Sequence, residues 1–190
     1  MAHPFKHFHT ITKHRHKVIH FCFKVGVGWQ GLRHDLSKYS PTEFWSGAHY
    51  YTGTHSPITE ERKVKGYSEA WLHHKGRNRH HFEYWTFYSS AKRDYVPVKM
   101  PLRYVKEMLA DRVAASMVYN GKNYTDDMPL DYLINKGDLD GMHEETAKLI
   151  TEWLTLVKEK GHNKAFKIIK KVKSLSLIHI SEPTRLLSIS

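Results

Sequence analysis

Residues 100–121 read MPLRYVKEMLADRVAASMVYNG, and this stretch decides the fold. Pro101 opens a helix at the position where a missing N–H does no harm, and Asn120-Gly121 closes it. Between them Leu102, Val105, Leu109, Val113 and Met117 form one apolar stripe, with Tyr104, Met108, Asp111, Ala115 and Val118 on the adjoining one. Asp111 is thus an acid among apolar neighbours, where an ionised carboxylate needs a cation or several donors to offset its desolvation. Arg112 is one such cation, and a metal ion is another.

The same periodicity extends outward in both directions. Upstream, Thr12 to Val25 carries Val18, Phe21, Cys22 and Val25 at one-face helical spacing, and Gly26 and Gly28 end the element. A shorter helical segment is expected over Trp29 to Lys38, with His34 and Asp35 near its end. Ser40-Pro41-Thr42-Glu43 reads as a helix start, with Ser40 as cap, Pro41 in the first turn and Glu43 placed for a capping box. Thr59 to Lys75 is a further helix, and Asp94 to Lys99, with Pro97, a connector. Downstream, a polar connection from Gly121 to Gly141 leads into a helix over Glu144 to Lys160, with Leu149, Ile150, Trp153, Leu154 and Val157 inward. Gly161 ends that helix, and a short basic helix follows over Ala165 to Lys173. Nothing repeats and no linker divides the chain, so the expectation is all-α: a single compact multi-helix domain spanning residues 1–173.

Residues 174–190 lack the aromatic and basic character of the rest. Leu175 to Arg185 resembles the translated transposase adapter of sequencing libraries, and residues 174–190 are expected to be a non-native tail.

Composition narrows the function. A chain of 190 residues with five Trp and eleven Tyr can bury a substantial core. Its one cysteine, Cys22, excludes an internal disulfide and a cysteine-based zinc finger, and a reducing cytoplasm is the natural setting. His20 and Lys24 interrupt the apolar stretch Val18 to Trp29, and no run is long enough to span a bilayer. A formal charge of +11 favours anionic partners: nucleotides, nucleic acid or phosphorylated metabolites. No Gly-rich phosphate loop supports an NTPase, and no Gly-x-Ser-x-Gly elbow a serine hydrolase.

The chemistry is carried by histidines and aspartates. With sixteen histidines, roughly one His-Asp dipeptide is expected by chance, so His34-Asp35 alone decides nothing. It stands, however, in an ordered series: an upstream histidine, then His34-Asp35 with Lys38, then His73-His74 and His80-His81, then Asp111. Imidazoles and carboxylates drawn from separate segments are what a divalent metal site requires. The intervening run HHKGRNRHH, residues 73–81, either stays helical, placing His74, Asn78 and His81 on one face, or turns at Gly76 between two short helices. A solvated basic loop or phosphate-contacting patch is the plainer reading of the same run.

These residues carry a resemblance. The pattern of His34-Asp35 between an upstream histidine and a later helical aspartate resembles the signature of the HD-domain superfamily, all-helical metal-dependent phosphohydrolases and phosphodiesterases. The strings GLRHDLSKYSPTEF (31–44), EAWLHHKGRNRHHFEYW (69–85) and EMLADRVAAS (107–116) resemble a bacterial and phage family of unknown function, DUF5662. The HD resemblance implies His34, Asp35 and Asp111 as metal ligands, with His16 as the first histidine and His14 and His20 as rivals. It implies a second metal on His74, His80 and His81. It further implies that one or two divalent ions activate a water for attack on phosphorus, with Asp35 orienting that water. Lys38 would neutralise a phosphoryl oxygen, and Arg77, Asn78 and Arg79 would hold the rest of the anion. His/Asp ligation suits Mn, Fe, Co, Ni or Zn about equally. The setting implied is a bacterial cytoplasm, or the host cytoplasm if the gene is phage-borne. The competing expectation, from another class, is a basic non-catalytic nucleic-acid-binding protein with a structural metal or none. A degenerate HD fold used for protein contacts is the third.

Overall fold

The computed structural model describes residues 2–173; the proposed tail at 174–190 lies outside them. Nine α-helices are present among the described residues: α1 (Pro4–Val25), α2 (Gly28–Gly31), α3 (Pro41–His49), α4 (Pro57–Lys65), α5 (Glu69–Lys75), α6 (Leu102–Asn120), α7 (Met128–Asn135), α8 (Glu144–Lys160) and α9 (His162–Lys171). No helix among them is long and apolar enough to cross a membrane.

The fold is mostly α, as the periodicity predicts, and its core lies between α1, α6, α8 and α9. Val18, Cys22 and Val25 of α1 meet Val105, Leu109 and Val113 of α6, while Trp153, Leu154 and Val157 of α8 and Phe166 and Ile169 of α9 close the other side. All are buried. Fully burying one such side chain contributes about 1.5–3 kcal/mol, so this cluster outweighs any single polar contact in the domain. α6 is buried even at polar positions. Lys106 reaches the end of α9 and donates to the carbonyls of Lys170 at 3.3 Å and Val172 at 2.8 Å, caps that the helix's last turn cannot supply itself.

Several element boundaries differ from the sequence expectation. The segment 29–38 is not one helix: α2 stops at Gly31, and His34 and Asp35 sit in the turn before a 3-10 turn over Leu36–Tyr39. Thr59 to Lys75 is broken by Gly66, whose φ of 81° ends α4. Ser68 then caps α5, its side chain accepting from Trp71 N. Asp94–Pro97 is a strand rather than a connector. This β2 pairs antiparallel with β1 (Thr86–Ser89), Tyr88 opposite Tyr95. The polar connection after Gly121 holds α7, whose Leu130 and Leu133 are buried.

Gly31 shows why the turn lies where it does. A Cβ at this position would overlap Cβ of Cys22 on α1. Only glycine lets the chain pass that close to α1 and deliver residues 32–35 against it.

Candidate metal centre

α1 presents its inner face at intervals of three and four: His7, Ile11, His14, Val18, Cys22 and Val25 are all buried. The apolar stripe of the helix therefore ends in histidines, and His14 points to the same interior as Val18. His16 and His20, on other faces, are exposed. The first histidine in the cluster is accordingly His14, and His16 stays outside it, because two helical residues correspond to about half a turn.

The turn after α2 brings His34 and Asp35 to that point. Asp35 has φ 54°, a left-handed backbone conformation that an L-residue adopts at a cost of about 1 kcal/mol or more. Arg15 helps to hold it, its guanidinium donating to the carbonyls of His34 and Leu32. α6 supplies Asp111. The chain after α5 supplies His80 and His81, and α5 itself His74.

Two overlapping groups of donor atoms result. In the first, His14 Nε2 lies 3.0 Å from Asp111 Oδ1 and 3.7 Å from Asp35 Oδ2. His34 Nε2 lies 3.2 Å from the same Asp35 oxygen and 3.5 Å from Asp111 Oδ1. In the second, Asp35 Oδ1 lies 3.3 Å from His74 Nε2 and 3.6 Å from His80 Nε2, and His74 Nε2 is 2.9 Å from His81 Nε2. Ligands about 2.0–2.2 Å from a common ion lie roughly 3.0–3.5 Å apart. Both groups, His14-His34-Asp35-Asp111 and Asp35-His74-His80-His81, can thus hold a metal ion. Asp35 belongs to both, one oxygen to each.

The burial of these atoms points the same way. His14 Nε2, His34 Nε2, His80 Nε2 and Asp35 Oδ1 are buried without a hydrogen-bond partner among the described residues, while Asp35 Oδ2 has Lys38 Nζ at 2.6 Å. Such atoms are rare in native interiors and are expensive unless something satisfies them.

The opposite edges of the rings are satisfied. Glu107 Oε1 accepts from Nδ1 of His34 at 3.0 Å and lies 3.3 Å from Nδ1 of His80. Its other oxygen takes the Gln30 amide. Glu43 accepts from Nδ1 of His74 at 2.7 Å and of His73 at 2.6 Å. Carboxylates placed on Nδ1 fix the tautomer so that Nε2 faces inward, as metal-ligating histidines require. His34, His80 and Glu107 also form a donor group, and we read it as this supporting contact because both rings use Nδ1 in it. Glu43 does not form the expected capping box; Ser40 has no side-chain cap bond, and the carboxylate is buried against the two histidines instead. Asn78 is buried, and its amide donates to Ser37 Oγ and to the carbonyl of His74, both at 2.8 Å. Gly76 does turn the chain after α5 rather than continue it.

Electrostatics divide the imidazoles. Burial opposes protonation of His34, but Asp35 and its hydrogen-bonding carboxylates prevail and hold its pKa well above the usual value. His74 is raised in the same sense, burial being outweighed by Asp35 and Glu43. His14 and His81 are lowered, burial dominating in both. Asp35 and Asp111 stay far below the ordinary carboxylate range despite burial, Asp35 through His34, Lys38 and His74, Asp111 through His14 and His34. Lys38 Nζ, 2.6 Å from Asp35 Oδ2, is raised for the same reason.

Beside the cluster opens a cleft of about 550 Å³ that has His80 and Glu107 in its wall and is lined by Arg33, Arg77, Arg79 and Arg103. Arg77 and Arg79, which the resemblance implies as anion contacts, both line this cleft. Lys38 lies at the cluster itself, a quarter exposed.

The model of a family of unknown function (DUF5662) matches residues 3–156. No curated protein and no solved structure matches the chain.

Proposed function

The chain belongs to the DUF5662 family, and from its buried His/Asp cluster we propose that it is a metal-dependent phosphohydrolase or phosphodiesterase. The observation that carries this reading is the convergence of four buried, unpartnered donor atoms from separate segments, with Asp35 shared between two groups. His14, His34, Asp35 and Asp111 would hold one divalent ion, and Asp35, His74, His80 and His81 a second. The order His14, His34-Asp35, Asp111 follows the HD pattern and supports the same reading. The donor set, imidazole and carboxylate without thiolate, fits Mn, Fe, Co, Ni or Zn.

Divalent ions in such a centre lower the pKa of a water toward neutrality and neutralise charge on a phosphoryl oxygen. The protein's own groups do the rest. Glu107 and Glu43 hold His34, His80 and His74 with Nε2 inward. Asn78 ties the turn after α5 to Ser37 and so positions His80 and His81. Lys38 keeps Asp35 ionised and, being partly exposed, meets an incoming phosphoryl oxygen. Arg77 and Arg79 bind the remainder of the anion. In the reaction the attacking water oxygen bonds to phosphorus, the ester P–O bond breaks, and the leaving oxygen takes up a proton.

The test is metal content of the untagged protein and of its His34→Ala and Asp35→Ala variants, followed by a screen of phosphate mono- and diesters. About one to two ions per chain, lost in both variants with the helical spectrum unchanged, are expected. No stoichiometric metal, even after adding manganese, iron or zinc, would overturn the reading.

A further inference from the structure

The cleft beside the cluster is built for more than one phosphate. Its four arginines come from three separate places: Arg33 after α2, Arg77 and Arg79 after α5, and Arg103 in the first turn of α6. All four are exposed. None of them pairs with a carboxylate among the described residues: Arg77 donates to the carbonyl of His73 at 3.1 Å, Arg79 donates to the Tyr104 hydroxyl at 3.4 Å and lies over Tyr84, and Arg103 lies over Tyr104 at 4.8 Å. Like charges gathered in one cleft repel one another, and a polyanion relieves that repulsion.

Trp29 and Tyr104 line the cleft together with the arginines. Trp29, in the cleft wall, is 80% exposed. Behind this lining Trp85 packs at a tilt against Tyr104, ring centroids 5.4 Å apart, and donates its indole N–H to the carbonyl of Arg79. The β1–β2 hairpin starts directly after Trp85, with Val98 N bonded back to Trp85 O. Phe87 and Tyr95 of the hairpin are 63% and 70% exposed. They lie on opposite faces, because Phe87 pairs with Val96 and Tyr95 with Tyr88. Lys92 and Arg93 stand at the tip. A small-molecule pocket encloses most of its ligand; an exposed indole and an exposed hairpin do not. Trp29 and Tyr104 in an arginine-lined groove match single-stranded nucleic acid, whose bases stack while its phosphates pair with cations.

We propose that this cleft binds single-stranded nucleic acid, with Trp29 stacking a base, and leads a phosphodiester to the His/Asp cluster. The delivery step rests on the phosphohydrolase reading; the binding does not.

The test measures fluorescence anisotropy of labelled single strands of about 12 nucleotides, DNA and RNA, against a duplex of equal length and a nucleoside triphosphate competitor. It is run on metal-loaded and on chelator-stripped protein. Single strands should bind in both forms, with log affinity falling against log salt at a slope of about −3 for four contacts. Arg33→Gln should reduce that slope by about 0.7. Trp29→Ala should weaken binding about ten-fold while leaving metal content unchanged. Duplex bound as tightly as single strand, equal competition by the triphosphate, or indifference to Trp29 would each overturn the proposal. Binding without metal would leave it standing if the phosphohydrolase reading fell; metal without binding would do the reverse.

Discussion

Replacing Glu107 by Gln should weaken metal binding about 30-fold while the helical fold persists. Its Oε1 faces Nδ1 of both His34 and His80, and its other oxygen takes the Gln30 amide. Glutamine preserves the shape but removes the charge, and its amide NH2 then meets either the imidazole N–H groups or the Gln30 donor. A hydrogen bond to a charged group contributes about 1 kcal/mol more than a neutral one. Two such bonds amount to about 2 kcal/mol, which converts to roughly 30-fold in affinity, within the range expected for carboxylates behind ligating histidines. The carboxylate titrates far from neutrality: burial pushes it up, but the two imidazoles bring its pKa down to about 2. The assay is competition of the protein with a chromophoric chelator for manganese or zinc, wild type against Glu107→Gln. An unchanged constant would refute the assignment of Glu107 as the group that aims the two rings.

Substitutions should also separate the two donor groups. Asp111→Asn is expected to cost one ion and His81→Ala the other, whereas Asp35→Asn impairs both, as metal analysis of the purified variants would show. Loading metal at pH 7 should release about one to two protons, from His34 and His74, read by calorimetry in buffers of different ionisation enthalpy. His7 makes a pH prediction. Burial, and then Lys38, lower its pKa from 6.5 to about 4, so the unfolded chain binds a proton that the folded one refuses. Its contribution to stability is intact above pH 6.5 and is lost progressively as pH falls to about 4. Thermal midpoints measured across that window should show a component that disappears in His7→Gln. Gly31→Ala, whose methyl would overlap Cys22, should destabilise by about 1–3 kcal/mol in denaturant melts.

Much of this architecture was readable from periodicity. The stripes around Val105, Leu109 and Val113 mark α6 as a core helix, and Trp153, Leu154 and Val157 do the same for α8. The same tool would have found His14. Stepping back from Val25, Cys22 and Val18 by helical intervals lands on His14, Ile11 and His7, whereas the family resemblance points to His16, with His14 as a rival. Glu43 was misread because a residue three positions into a helix satisfies two patterns. Only the approach of α5 to α3 decides that it serves His73 and His74. Glu107 carried a signal of its own, an acid one turn before Asp111 on a buried helix. The hairpin was missed because both of its faces are exposed, so no alternation of apolar and polar residues marks it.

The four carboxylates around the cluster have a consequence in terms of net charge. Asp35, Glu43, Glu107 and Asp111 are all held below the ordinary range, and together they balance two divalent cations. A doubly loaded centre is then neutral apart from Lys38, and a polyanion approaching through the arginine cleft meets no opposing field. With one ion the same centre is less positive by one charge, because Lys38 and the proton retained by His34 or His74 just offset the two carboxylate charges left over. Occupancy of the second group of ligands would therefore act on substrate affinity as well as on chemistry, and the Michaelis constant for an anionic substrate should fall as the second ion binds.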